Sequence, residues 1–251
     1  MRERLWVALD VDTVKEAETL LERLAGVGVG AKIGSQLYTA AGPAAVEMAL
    51  HRGVPVFLDL KYHDIPNTVA GAVREATRLG VAMLNVHAAG GSAMLRAAAE
   101  AATRAAQDFK VTRPIVLGVT VLTSLDRQAL DEVGVAGTVE AHVLRLAEVA
   151  RVAGLDGCVA SPQEIRPLRV ALGAGWVIVT PGVRPDATPV GGPGGSLDRG
   201  APTDDQKRVA TPRAAIGAGA DAIVIGRPIT AAGDPGAAAR AILEEIAAAG
   251  N

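Results

Sequence analysis

Aromatic residues are scarce in this chain of 251 residues: two Phe, two Tyr and two Trp stand in a composition that is 49% apolar. Any core must therefore be built almost wholly from aliphatic side chains. There is a single cysteine, Cys158, which excludes an intramolecular disulfide and a cysteine metal cluster. It sits in an apolar run, where a small buried residue is expected rather than a reactive thiol. Neither sign of charge dominates. Lys and Arg number 25 against 27 Asp and Glu, a formal net charge of −2 with no basic block, which argues against nucleic acid as a partner. No stretch approaches 18 apolar residues without a glycine or a charge, and only a short apolar run precedes Asp10 and Asp12. Neither a membrane span nor a signal peptide is expected, and a cytoplasmic location fits. The apolar content excludes disorder, and the length suits two small domains or one α/β barrel.

Short apolar, β-rich runs alternate with stretches of helical period. Candidate strands cover Leu5–Val11, Val29–Gly34, Val54–Leu60, Ala82–Val86, Ile115–Val121, Asp156–Ala160, Trp176–Thr180 and Ala222–Ile225. Helical stretches follow, among them Thr13–Leu24, Ala44–His51, Val69–Leu79, Met94–Ala106, Val139–Val152 and Ala237–Ala248. Eight units in 251 residues give roughly 31 each, the size of a βα repeat with its connections. The expected architecture is a single (β/α)8 TIM barrel spanning 1–251. One long Gly- and Pro-rich segment, Pro181–Thr203, falls after the seventh strand and reads as a mobile active-site loop over about 181–205.

Barrel enzymes place their chemistry at the C-terminal ends of the strands. The polar residues at those ends are Asp10, Lys32, Asp59, Lys61, His87, Thr123, Ser161, Arg184 and Arg227. The densest cluster is Asp59-Leu60-Lys61-Tyr62-His63-Asp64, where residues 59 and 61 share one strand face and point into the barrel mouth. A plainer reading makes Asp64 a helix N-cap ahead of Pro66, with Asp59 and Lys61 a surface ion pair. Lys32 and Asp10 at equivalent positions favour the pocket, since a surface pair needs no such convergence. Aspartates around Lys61 favour its ammonium form, which opposes Schiff-base chemistry and suits a proton donor or a stabiliser of a developing anion.

At the far end of the chain, Ile225-Gly226-Arg227-Pro228 places Gly and Arg between a strand and a helix, a phosphate cradle to which Arg184 could add a second cation. The plain alternative is a packing glycine and a solvated arginine. Gly26-Val27-Gly28-Val29-Gly30-Ala31 matches a dinucleotide fingerprint only formally, because it follows a helix and precedes a strand; it reads as a turn. His51, His63, His87 and His142 lack metal-ligand spacing, so no metal site is expected.

With these residues in hand the chain resembles the orotidine 5′-phosphate decarboxylase family. The resemblance rests on Asp59-Leu60-Lys61-Tyr62-His63-Asp64-Ile65-Pro66-Asn67-Thr68. Seven further matches occur in order: Leu9-Asp10, Lys32-Ile33-Gly34, Asn85-Val86-His87-Ala88, Leu122-Thr123-Ser124, Thr180-Pro181-Gly182-Val183-Arg184, Asp205-Gln206-Lys207-Arg208 and Ile225-Gly226-Arg227-Pro228. It implies decarboxylation of orotidine 5′-monophosphate to UMP, the last step of de novo pyrimidine synthesis, with neither metal nor organic cofactor. It further implies that Lys61 protonates C6, that Asp59 lies by the substrate carboxylate, and that Lys32 and Asp64 complete an alternating charge array. Asp10 and Lys32 would bind ribose hydroxyls, and Thr123 and Ser124 would line the base and ribose pocket. Gln206, Gly226 and Arg227 would hold the phosphate, with Arg184 closing over it. Asp64, Ile65 and Thr68 would contact substrate in a homodimer with shared active sites.

The 21 residues between Arg184 and Gln206 are a departure, a longer excursion than the family pattern implies. Two other readings remain open at this level. One is a Mg²⁺-dependent decarboxylase or aldolase of the same superfamily acting on a sugar phosphate, which shares Asp-x-Lys-x-x-Asp. The other is a non-catalytic barrel that senses a phosphorylated metabolite, which would have no use for Asp59, Lys61 and Asp64 together.

Overall fold

The computed structural model describes residues 3–185 and 210–249. Eight strands close a parallel barrel in sequence order: β1 Leu5–Ala8, β2 Gly30–Gly34, β3 Val56–Tyr62, β4 Met83–His87, β5 Ile115–Val119, β6 Gly157–Val159, β7 Val177–Thr180 and β8 Ala222–Ile225. The helices around it are α1 Val14–Arg23, α2 Ser35–Ala41, α3 Pro43–His51, α4 Pro66–Arg78, α5 Gly91–Phe109, α6 Arg127–Glu132, α7 Val139–Val152, α8 Ile165–Leu172, α9 Pro212–Gly217, α10 Arg227–Thr230 and α11 Pro235–Ala247. The expected (β/α)8 architecture is thus present. Several strands are shorter than their apolar runs: β1 stops at Ala8 rather than Val11, and β5 at Val119 rather than Val121. Each ladder keeps one backbone bond past the strand end, Leu9 N–H to Lys32 O at 3.0 Å and Thr120 N–H to Val159 O at 3.2 Å. β3 errs the other way and runs on through Lys61 to Tyr62.

Helix starts follow local chemistry. Thr13 closes a capping box with Glu16, and Asp126, Thr138, Thr211 and Asp234 each accept a backbone N–H at the starts of α6, α7, α9 and α11. Gly26 and Gly28 take φ of +73° and +81°, so that glycine-rich stretch is the turn between α1 and β2.

Side chains alternate across the strands and divide the core in two. Leu5, Val7, Ile33, Leu58, Leu84, Val86 and Ile178 face the helices. Trp6, Ala8, Phe57, Met83, Leu117, Val179, Ala222 and Val224 fill the barrel. Trp6 meets Phe57 edge to face, with ring centroids 6.2 Å apart. The indole has room because its register partner is Gly30, where a Cβ would come within 2.4 Å of the Trp6 ring.

Candidate active site

The same parity continues upward from that apolar floor. On the inward face, β2 carries Gly30, Lys32 and Gly34; β3 carries Phe57, Asp59 and Lys61; β4 carries Met83, Asn85 and His87. Register places Ala8 beside Lys32, Lys32 beside Phe57 and Gly34 beside Asp59. Polar residues therefore collect at the C-terminal mouth because each strand changes from apolar to polar on one face.

Asp59 is the hub. Lys61 Nζ lies 2.7 Å from its Oδ1, and Lys32 Nζ lies 3.5 Å from its Oδ2 and 3.1 Å from Asp10 Oδ1. Asn85 Nδ2 also donates to Asp59 Oδ1 at 2.7 Å. Burial pushes the Asp59 carboxyl up, but the Lys32 and Lys61 charges and the bonds from Lys61 and Asn85 prevail and hold it below the usual range. The Lys32 side chain is 9% exposed and that of Lys61 34%, so one ammonium is sealed in and the other faces the opening. Gly34 leaves space for this: a Cβ there would stand 2.9 Å from Lys32 Nζ.

Lys61 does not continue a regular strand. Its φ is +51°, and the β3–β4 register shifts between Leu58 and Tyr62. Asp59 and Lys61 share the mouth as expected, but through a bulge rather than simple alternation. His87 is half-buried at the end of β4, its ring 5.4 Å from that of His63. Burial, then His63 and Lys61, lower the His87 pKa, with Asp59 opposing, so at neutral pH its imidazole is uncharged.

Asp10, Lys32, Asp59 and Lys61 are thus joined in one array. Asp64, Ile65 and Thr68 are not in it: all three are exposed at the start of α4. Nor does Asp64 cap that helix. Ile65 is the N-cap residue, and Asp64 Oδ1 accepts only the adjacent Ile65 N–H at 2.6 Å in the described contacts. Pro66 does occupy the first turn. Thr123, half-buried, and Ser124, exposed, lie in the β5–α6 connection. Ser161 is buried and its N–H donates to Glu164, a turn-building role. Gly226 follows β8, and Arg227 opens α10. Arg184 N donates to Ala210 O at 2.9 Å, and Val183 bridges Ala210, so the end of the 3–185 segment meets the start of the 210–249 segment just after β7. Gln206 and most of the 181–205 segment lie outside the described residues.

Asn85 is the participant that sequence reasoning passed over, although it belonged to a motif. Its place between Met83 and His87 on the inward face was the available signal. Among the described residues no group of three or more His, Cys, Asp and Glu is arranged to hold a metal, and no helix is long and apolar enough to cross a membrane.

A model of the Orotidine 5′-phosphate decarboxylase / HUMPS family matches residues 3–242. The chain belongs to this family. It is 56% identical over 246 residues to the orotidine 5′-phosphate decarboxylase of Moorella thermoacetica, covering 98% of this chain and 92% of that one. The Halorhodospira halophila protein of the same name is 52% identical, with 98% and 97% covered. Among solved structures, orotidine 5′-phosphate decarboxylase from Lactobacillus acidophilus superposes with a TM-score of 0.83 at 35% identity, over 97% of this chain and 99% of that one.

Proposed function

We propose that this family member decarboxylates orotidine 5′-monophosphate to UMP and carbon dioxide, with Lys61 delivering the proton to C6. The observation that carries the reading is the Lys61 ammonium held 2.7 Å from Asp59 at the open end of a charge-balanced array whose centre, Asp59 and Lys32, is largely buried. The C6–carboxylate bond breaks, its electron pair stays on C6, and the N–H of Lys61 becomes the new C6–H. A fixed cation beside the developing carbanion stabilises it without reorganising water. Neutral His87 leaves Lys61 as the charged donor facing the mouth.

In this reading Asp59 holds Lys61 in place and lies next to the substrate carboxylate, while Lys32 and Asp10 take the ribose hydroxyls. Thr123 and Ser124 line the base and ribose pocket. Gly226, Arg227 and Gln206 bind the phosphate, with Arg184 beside them. Binding energy from that remote group can be used to order the reacting end and exclude water. Asp64, Ile65 and Thr68, exposed together at the start of α4, complete the site of a second copy in a homodimer.

The deciding experiment follows orotidine monophosphate by ultraviolet absorbance with purified protein and no added metal. Wild type is expected to turn over; Lys61→Ala is expected to lose turnover while still binding UMP. A requirement for Mg²⁺, turnover of sugar phosphates alone, or equal rates for wild type and Lys61→Ala would overturn the proposal.

A further inference from the structure

Asn85 is fully buried, and both ends of its amide are used at the mouth. Nδ2 donates to Asp59 Oδ1 at 2.7 Å, and Oδ1 accepts the backbone N–H of Lys61 at 2.8 Å. The second bond falls on a residue at φ +51°, a left-handed conformation that a lysine side chain disfavours. The ladder shows why the bond is needed. β3 and β4 are in register at Leu58 with Leu84 and again at Tyr62 with Val86. Four residue steps on β3 thus face two on β4. The extra residues break the regular pairing, and the Asn85 side chain supplies the acceptor that backbone would otherwise give.

We infer that Asn85 is a positioning residue that clamps this bulge, fixing Lys61 in its left-handed conformation and its ammonium against Asp59. What the clamped pair does rests on the decarboxylase reading; the clamp itself does not. One planar amide both donates to the carboxylate and accepts from the N–H, so the two reacting-end groups are set relative to each other by a single rigid side chain. An aspartate in place of Asn85 could accept from Lys61 N–H, but it would set a second carboxyl against Asp59. The two would then share a proton, and the loss of that shared proton would fall above the usual carboxylate range. When protonated, the introduced carboxyl would donate to Asp59 as the amide does.

The test uses the full chain with Asn85→Ala and Asn85→Asp, each assayed for orotidine monophosphate turnover and UMP binding. Asn85→Ala is expected to lower kcat by about 100-fold, the scale of an ångström-level misplacement, with KM changed by less than about threefold. Asn85→Asp is expected to lose kcat as pH rises through the shared titration, over a range where wild type does not fall. A crystal structure of Asn85→Ala is expected to show Lys61 released from φ near +51°. Should the alanine variant fail to fold, the near-isosteric aspartate variant carries the test through its pH profile. A kcat for Asn85→Ala within about threefold of wild type, a profile for Asn85→Asp parallel to wild type, or an unchanged Lys61 backbone in the variant would overturn the clamp. A wild-type protein without turnover would sink the decarboxylase reading alone, and the Lys61 conformation would then decide on the clamp.

Discussion

Replacing Asp59 with asparagine tests whether the charge array stabilises the fold or is merely carried by it. At an effective dielectric of about 20, unit charges at the distances of Lys61 (2.7 Å) and Lys32 (3.5 Å) attract Asp59 by roughly 6 and 5 kcal/mol. Burial works against this and is the largest single influence on the carboxyl, so the net is much smaller. Removing one partner from a buried pair typically costs about 3–5 kcal/mol, because the other charge is left uncompensated. Here both leftover charges have relief: Lys32 keeps Asp10 at 3.1 Å, and Lys61 is a third exposed. The expected loss at pH 7 is therefore about 2–3 kcal/mol, just under that range. Equilibrium urea unfolding, followed by the fluorescence of Trp6 and Trp176, measures it. The pH dependence has a definite sign. The folded carboxyl titrates below its unfolded value of about 3.9, so its contribution is complete above that pH and fades as pH falls through the folded value. The gap between wild type and variant should accordingly be constant from about pH 5 to 7 and narrow below about pH 4. A variant as stable as wild type at pH 7 would refute the reasoning, showing that attraction in the array does not exceed the cost of burying Asp59.

Gly34→Ala probes the other side of the array. Gly34 has φ −94°, which alanine accepts, so the effect is steric: the new Cβ would lie 2.9 Å from Lys32 Nζ and 3.3 Å from Asp10 Oδ1. Because those two are assigned to ribose, KM for orotidine monophosphate should rise about tenfold with a smaller change in kcat; an unchanged KM would show that the lysine swings clear. Cys158 is fully buried, its Sγ accepts from Trp176 Nε1 at 3.2 Å, and burial pushes its thiol up to about 12. Thiol reagents at about pH 8 should leave it unmodified until guanidinium unfolds the chain. Stoichiometric labelling of the native protein would contradict that burial.

The barrel was legible because its strands announce themselves twice, as β-branched apolar runs and as spacers between helical periods. Ala222–Ile225 has the same bounds in sequence and structure. The helices that pattern reading did not name, α2, α6, α8, α9 and α10, have only four to eight residues, at most about two turns. That is too short to display a period of 3.6, and tertiary packing rather than propensity holds them. In the site, Asp59, Lys61 and Lys32 stood out because charge at a strand end is costly without a partner. Asn85 did not, since one amide in an apolar strand looks tolerable until its partners are known. The bulge at Lys61 was also invisible: no glycine or proline marks it, and its acceptor comes from a residue 24 positions away.

The few aromatics bear directly on the charges. Two of the six, Trp6 and Phe57, meet inside the barrel one inward step below the array, where Phe57 is the strand neighbour of Lys32. Aliphatic residues alone would have to fill this space with more, smaller groups. Two rings in edge-to-face contact close it, and Gly30 is what makes room for the indole. The charges above therefore rest on a buried apolar floor, where each pairwise attraction is stronger than in water. Opening that floor would weaken the Lys32–Asp59 contact before the more exposed Lys61–Asp59 contact, because the latter already borders solvent. The packing of the barrel interior and the electrostatics of its mouth are in this sense one property, written on alternate residues of the same strands.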